Sequence, residues 1–170
     1  MGLDADILHA VARLRRPWLD RAVAGYSRLG NSGELWVAAG CAVALARGTP
    51  RPAVVTAATV WGTLCINYGI KQAVRRQRPA GDDLPPALIE APRSLSFPSA
   101  HAAMSAAAAM VLPPVAVPFA AAMAVSRIYL GVHYPSDILA GWMAGTAWVM
   151  AMHQLIAHRA PVPPTIADDS

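Results

Sequence analysis

The longest uncharged stretch of the chain places the narrowest limit on its fold. Residues 94–126 contain no Asp, Glu, Lys or Arg over 33 positions, and about 20 apolar residues suffice for a helix to cross a bilayer. Pro113 and Pro114 interrupt the stretch, because proline lacks the N–H donor of a helix interior. The stretch therefore predicts two membrane helices joined by a turn.

Further apolar segments extend this pattern over residues 35–46, 53–70 and 138–157. Hydrophobic residues make up 55% of the 170 positions and charged residues 14%, which favours packed apolar helices over a soluble core. We expect an all-α, polytopic membrane bundle over residues 34–157, with about five spanning helices. Gly141 and Gly145 have a spacing that lets two membrane helices approach closely, and we expect them to serve packing within the chain.

The regions outside these segments have a different character. Residues 1–33 place apolar side chains at helical spacing among arginines, which predicts an amphipathic helical pair broken at Pro17 and lying on the membrane surface. Residues 71–98 become Pro-rich and acidic, which is typical of an extramembrane loop. Residues 158–170 are polar and without periodicity, so we expect a disordered tail.

The charge of +4 does not indicate a nucleic-acid partner. The basic residues are nearly all Arg, gathered in a few places between long uncharged stretches, a distribution that fits lipid headgroups or phosphate better. Cys41 and Cys65 lack the paired spacing of a metal site or a thiol redox motif, and we expect both to be small buried apolar residues.

Three polar clusters stand at predicted helix ends, where a charge near the membrane needs a functional reason. In the first cluster, Lys71, Arg75 and Arg78 fall on one face if the helix continues past the membrane edge. Such a face can hold a multiply charged anion. Taken alone, the cluster fits a positive collar that reaches toward lipid headgroups better.

The second cluster reads Phe97-Pro98-Ser99-Ala100-His101 and precedes an Ala-rich helix. Ser99 is placed to cap that helix, whose free backbone N–H groups form a cradle for phosphate. His101 lies one turn into the helix. For an isolated motif of this kind, a cap beside a chance histidine explains the pattern as well as a functional site does.

The third cluster runs from Ser126-Arg127 to His133 and Asp137. Pro135 suits the first position of a helix, so Asp137 falls in its first turn and His133 just outside it. The imidazole and the carboxylate are therefore expected to lie close together.

Together the clusters hold the parts that phosphoryl transfer needs. A neutral His133 can attack phosphorus when the carboxylate of Asp137 fixes its tautomer and stabilises the charged intermediate. His101 can protonate the leaving alkoxide. Four further residues are candidates for neutralising the phosphate oxygens: Lys71, Arg78, Ser99 and Arg127.

These clusters resemble the three signatures of the type 2 phosphatidic acid phosphatases, K-x6-R-P, P-S-G-H and S-R-x5-H-x3-D, which occur here in that order. The resemblance implies a membrane lipid phosphatase with a phosphohistidine intermediate, in which His133 is the nucleophile, His101 the general acid and Asp137 the orienting partner. It also implies the phosphate-binding positions: Lys71, Arg78, Ser99, Ala100 and Arg127.

Two departures from the family pattern bear on the site. Ala100 stands where the family has glycine, which keeps the backbone N–H but adds a methyl group close to the phosphate. Larger family members carry a further spanning helix at the N-terminus, where this chain has the amphipathic pair. No cluster of carboxylates or histidines offers the ligand set of a two-metal phosphatase, so we expect neither a metal nor another cofactor.

Threading five helices places the three clusters, the N-terminal segment and the loop over residues 71–98 on one face, opposite Arg47, Arg51 and Arg159. The clustered face carries more basic residues, which predicts a cytoplasmic active site in a multi-pass protein of the inner (plasma) membrane.

The substrate we expect is a prenyl-linked sugar phosphate such as decaprenylphosphoryl 5-phosphoribose, because this minimal form resembles the small phosphatases of cell-envelope lipid synthesis. Polyprenyl diphosphate, phosphatidic acid and phosphatidylglycerol phosphate are alternatives, and a homo-oligomer is left open. A vanadium-dependent haloperoxidase has similar motifs but is soluble. A non-catalytic phospholipid-binding protein would not need His133, Asp137 and His101.

Overall fold

The computed structural model describes residues 2–159, and all regular structure there is helical. The helices are α1 (Leu3–Ala12), α2 (Pro17–Leu29), α3 (Glu34–Arg47), α4 (Arg51–Val74), α5 (Ala100–Val111), α6 (Ala116–Tyr129) and α7 (Pro135–Arg159), with a 3-10 turn at Asn31–Gly33. The predicted all-α class is confirmed for this part of the chain. α7 continues two residues past the predicted boundary at 157, and the rest of the predicted tail, residues 160–170, lies outside the described residues.

Helix α5 is the centre of the bundle and packs against α4, α6 and α7. Its inward residues are mostly alanines with almost no exposed surface, and small side chains let neighbouring backbones come close. A Cβ atom at Gly141 would collide with the carbonyl oxygen of Ser99, and one at Gly145 with the carbonyl oxygen of Ala103. The two glycines therefore serve packing within the chain, as their spacing predicted.

The apolar helices differ in length. By length and composition, α4 is the one helix in the described part that is long and apolar enough to cross a membrane, whereas α5 and α6 are apolar but shorter. The break between α5 and α6 coincides with Pro113 and Pro114.

The prediction that Cys41 and Cys65 are buried is wrong, because both residues are exposed. Large apolar side chains such as Trp61 and Leu139 are likewise more than half exposed, at 52% and 63%. Because apolar side chains lie on both the inner and the outer surface of these helices, the hydrophobicity of a residue does not predict whether it is buried.

The N-terminal pair breaks at Pro17, which takes the first position of α2. Leu8 and Ala24 are buried against the bundle, whereas Leu14 and Trp18 are exposed. Helix α2 contacts α6, and α1 contacts both α6 and α7. The pair therefore packs along α6, where the Tyr26 hydroxyl donates to the carbonyl oxygen of Phe119, and α1 also reaches α7.

Candidate active site

A cavity of about 420 Å³ opens where α5 and α7 begin and α6 ends. Residues from all three sequence clusters line it, together with the 3-10 turn and the loop before α5. The lining comprises Asn31, Ser32, Leu64, Lys71, Arg78, Pro92, Ser94, Ala100, His101, Met104, Arg127 and His133. Of the predicted site residues, only Ser99 and Asp137 are absent from this lining.

His133 lies in the connection between α6 and α7, with 2% of its side chain exposed. Its Nε2 atom is 2.8 Å from Nη1 of Arg78, and because a guanidinium can only donate, Nε2 accepts. The proton therefore resides on Nδ1, which lies 3.4 Å from Oδ2 of Asp137. Burial lowers the pKa of His133 to about 3, although the hydrogen bond with Asp137 opposes the shift. The imidazole is thus neutral, with its unprotonated nitrogen toward the cavity.

Asp137 is fully buried in the first turn of α7, and its carboxylate has several donors. Oδ2 accepts from the hydroxyl of Ser96 at 2.5 Å and from the backbone N–H of Tyr134 at 2.9 Å. Oδ1 accepts from Nη1 of Arg76 at 3.0 Å. Fixed in this way, the carboxylate can hold one tautomer of His133.

The residues of the first cluster were expected to share a helical face only if the helix continued past the membrane edge, and it does not continue. Helix α4 ends at Val74, and Arg75 takes a left-handed backbone conformation with φ of 55°, so Lys71, Arg75 and Arg78 do not share a helical face. Arg78 precedes Pro79, and a residue before proline is disfavoured in the helical region. The arginines after Val74 therefore approach the site from a loop.

Lys71 and Arg78 are both engaged by the loop that precedes α5. Nζ of Lys71 donates to the carbonyl oxygens of Leu95, Ser96 and Pro98, at 2.5, 3.3 and 2.8 Å. Arg78 donates from Nε to the carbonyl oxygen of Ser94 at 2.9 Å as well as contacting His133. Burial lowers the pKa of Arg78 to about 10, while the charge of Asp137 opposes the shift, so the guanidinium is still charged at neutral pH. Both cations order this loop at the edge of the cavity.

The second cluster forms the start of α5. The Ser99 hydroxyl accepts from the N–H of Ala102 at 3.4 Å, which makes Ser99 the N-cap of the helix. The Ser99 N–H donates to the carbonyl oxygen of Asp137 at 3.0 Å and so joins the second cluster to the third. Ala100 lines the cavity and is partly exposed. Nε2 of His101 is buried and has no hydrogen-bond partner among the described residues.

Arg127 completes the cationic lining from the last turn of α6. Only 2% of its surface is exposed. Its Nη1 donates to the hydroxyl of Ser27 in α2 at 2.5 Å. The N-terminal pair therefore reaches one of the predicted phosphate-binding residues.

A family model described as the PAP2 superfamily matches residues 52–161, well over half of the chain. This chain belongs to the PAP2 superfamily. The predicted assignment as a lipid phosphatase, a hydrolase of phosphoric ester bonds, is confirmed.

Two relatives of this chain are named decaprenylphosphoryl-5-phosphoribose phosphatase. The one from Mycolicibacterium smegmatis is 36% identical over 150 residues, which cover 82% of this chain and 81% of the relative. The one from Mycobacterium tuberculosis is 40% identical over 147 residues, covering 79% and 78%. A crystal structure of a transmembrane PAP2-type phosphatidylglycerolphosphate phosphatase from Bacillus subtilis shares the fold, with a TM-score of 0.72 at 23% identity over 94% of this chain and 87% of that one.

Four polar residues around the candidate site were not predicted from the sequence. Ser96 and Arg76 lie within or beside the motifs and contact Asp137 directly. Ser27 contacts Arg127, and Asp4 contacts Arg76. Ser96 directly precedes the second cluster, and this position could have marked it as a site residue. Nothing in the amphipathic pattern of residues 1–33 distinguished Asp4 or Ser27 from the other polar residues there.

Within residues 2–159, no group of three or more His, Cys, Asp or Glu side chains is placed to hold a metal ion. Metal independence of this PAP2 site stays a prediction, which chelation tests directly.

Proposed function

We propose that this PAP2 chain hydrolyses the phosphomonoester of a prenyl-linked sugar phosphate through a phosphohistidine intermediate on His133. The orientation of the imidazole carries the proposal. Nε2 lies at the cavity against Arg78, and Nδ1 is directed to the buried carboxylate of Asp137. This tautomer offers Nε2 to an incoming phosphorus atom, and the carboxylate stabilises the positive charge that then forms on the ring.

The reaction follows in two displacements. In the first, Nε2 of His133 bonds to phosphorus, the bond from phosphorus to the sugar oxygen breaks, and His101 gives a proton to that oxygen. In the second, His101 takes a proton from water, whose oxygen displaces Nε2 and releases inorganic phosphate. A bound phosphate dianion offsets the positive charges near His101 and so favours its protonated form before the first step.

The phosphate oxygens need positive charge and N–H donors as the transition state forms. Arg78 and Arg127 line the cavity, and the N-terminus of α5 adds a backbone N–H group at Ala100. For the phosphate to reach Nε2 of His133, it must take the place of Nη1 of Arg78, 2.8 Å away. Lys71 adds positive charge near the site. Its amine donates to three carbonyl oxygens of the loop before Ser99 and so holds that loop in place.

Two observations support a sugar headgroup. The relatives from the two mycobacterial species are named for decaprenylphosphoryl-5-phosphoribose. The cavity also includes Asn31, Ser32 and Ser94, whose side chains can hydrogen-bond sugar hydroxyls. Phosphatidylglycerol phosphate, phosphatidic acid and polyprenyl diphosphate belong in the same test as alternatives.

For the membrane arrangement, we propose that helices α3 to α7 cross an inner (plasma) membrane, that α1 and α2 lie at its surface and that the cavity faces the cytoplasm. The arginines between α1 and α2, those of α2 and those of the loop after α4 support this orientation, because basic residues concentrate on the cytoplasmic side. Labelling of a single cysteine introduced at Asp82, in the exposed loop, by a membrane-impermeant reagent in whole cells would contradict it.

The function is tested by phosphate release from detergent-purified full-length protein. Each lipid phosphate of the panel is assayed with and without excess EDTA and with vanadate, alongside His133→Ala. His153→Ala is the matched control, because His153 is exposed on α7 away from the cavity. We expect release that resists EDTA, is inhibited by vanadate and is lost in His133→Ala only, with the prenyl-linked sugar phosphate turned over fastest.

Each other result has a defined meaning. Loss of activity with EDTA would contradict the metal-free reaction. Faster turnover of another lipid would replace the proposed headgroup but keep the chemistry. Binding without release from any lipid would support a non-catalytic phospholipid-binding protein.

A further inference from the structure

One guanidinium joins the buried carboxylate of the active site to a carboxylate of the N-terminal helix. Arg76 donates from Nη1 to Oδ1 of Asp137 at 3.0 Å and from Nη2 to Oδ2 of Asp4 at 2.8 Å. Arg76 is 32% exposed, Asp4 26% and Asp137 fully buried. A chain of three alternating charges thus runs from the surface of α1 to the partner of His133.

Further contacts hold this chain of charges against α7. Asp4 accepts from the backbone N–H of Ser136 at 2.9 Å and from its hydroxyl at 2.5 Å. The Arg76 guanidinium also donates to the Ser136 hydroxyl at 2.7 Å and lies 4.0 Å from the ring centroid of Tyr134. Stacked and paired on both sides, Arg76 has little freedom to rotate.

The electrostatics of the two surface groups agree with this geometry. Burial alone would raise the pKa of Asp4, but hydrogen bonds from Ser136 and Arg76 outweigh it and lower that pKa below its usual value. Burial likewise acts to lower the pKa of Arg76, and the carboxylates of Asp4 and Asp137 outweigh it and raise that pKa. Both groups are therefore held in their charged forms.

We propose that Asp4 and Arg76 are positioning residues for the reaction: Asp4 fixes Arg76, and Arg76 fixes Asp137 in the orientation that meets Nδ1 of His133. The inference rests on the proposed roles of His133 and Asp137. Arg76 supplies the hydrogen bond to Oδ1 of Asp137, while Oδ2 contacts His133. Without Arg76, Oδ1 loses its donor, and the carboxylate is held through Oδ2 alone, by Ser96 and the N–H of Tyr134.

Asp4 has a second effect through charge. Arg76 alone would neutralise Asp137 and weaken its attraction for the imidazolium that forms in the phosphohistidine. With Asp4 present, two carboxylates face one guanidinium, so the three groups together carry one net negative charge beside His133. The effect of Asp4 is therefore on the chemical step and not on phosphate binding.

The test compares two carboxylates of the same helix turn. Asp4→Asn removes the charge that contacts Arg76, and Asp6→Asn removes a nearby charge whose side chain is exposed and takes part in none of these contacts. The substrate is the lipid phosphate that the wild-type protein turns over fastest in detergent. We expect Asp4→Asn to lower kcat about 10-fold with KM and the unfolding temperature little changed, and Asp6→Asn to change neither constant.

A double-mutant cycle then shows whether Asp4 acts through Asp137. In the Asp137→Asn background, Asp4→Asn should have no further effect on kcat. Full additivity, an equal loss in Asp6→Asn, or a change in KM alone would overturn the proposal. If Asp4→Asn does not yield folded protein, Arg76→Lys takes its place in the cycle, because lysine keeps the charge but lacks the planar guanidinium whose two ends contact the two carboxylates, and Arg75→Gln is its control.

The same assay separates this inference from the proposed function. Full activity in His133→Ala would show that the phosphohistidine account itself fails. Inactive His133→Ala together with unchanged kcat in both Asp4→Asn and Arg76→Lys would reject the positioning role alone.

Discussion

The crossing of α5 and α7 and the N-terminal pair α1–α2 both position the active site, but by different physical means. At the crossing, backbones meet directly: Gly141 and Gly145 leave no room for a Cβ atom, and the Ser99 N–H donates to the carbonyl oxygen of Asp137. The N-terminal pair reaches the site through single side chains, Asp4 to Arg76 and Ser27 to Arg127. Backbone contacts fix the distance between motifs, whereas side-chain contacts adjust the orientation of individual groups.

The largest effect is expected where the two regions converge, at Asp137. Asp137→Asn keeps the size of the side chain but removes its charge and permits the wrong tautomer of His133, so kcat should fall about 10³–10⁴-fold. Phosphate release under saturating lipid measures it. Asp82→Asn, in the exposed part of the loop, is the control and should retain full activity. A fall of less than tenfold would show that Asp137 does not act on the chemical step.

An intermediate effect is expected at the backbone crossing. A methyl group at residue 145 would meet the carbonyl oxygen and Cα of Ala103, so Gly145→Ala must push α5 and α7 apart. We expect a loss of stability of about 1–3 kcal/mol, measured by thermal unfolding in detergent. Gly69→Ala in α4 is the matched control, because a Cβ atom there meets nothing within 4 Å. Equal stability of the two variants would contradict the close crossing.

The smallest effect is expected for a side-chain contact of the N-terminal pair. Ser27→Ala removes the hydroxyl that accepts from Nη1 of Arg127. Without this acceptor, Arg127 is held less firmly where the phosphate binds, and a bond to phosphate offsets only part of the about 1.5–3 kcal/mol that a hydrogen bond to a charged group is worth. We therefore expect KM to rise roughly 5-fold with kcat nearly unchanged, as steady-state kinetics would measure. A change confined to kcat would mean that Ser27 does not act through phosphate binding.

The sequence predicted the crossing better than it predicted the N-terminal pair. Uncharged stretches, Pro113-Pro114 and the glycine spacing carry local signals for helices and their packing, and the motifs carry His101, His133 and Asp137. The sequence did not decide whether α4 continues past the membrane edge, because helical periodicity does not reveal the left-handed turn at Arg75. Asp4 is far from the site in sequence, and its contact with Arg76 arises only when α1 folds against α7. Side-chain contacts that form only through tertiary packing produce no periodic pattern in the sequence.

The phosphohistidine at the centre of this account can be located directly. Protein quenched during turnover of its best lipid phosphate is digested under alkaline conditions, in which the phosphorus–nitrogen bond survives, and phosphopeptides are mapped by mass spectrometry. The account predicts phosphate on His133. Phosphate on any other residue, or a full burst of product from His133→Ala, would contradict it.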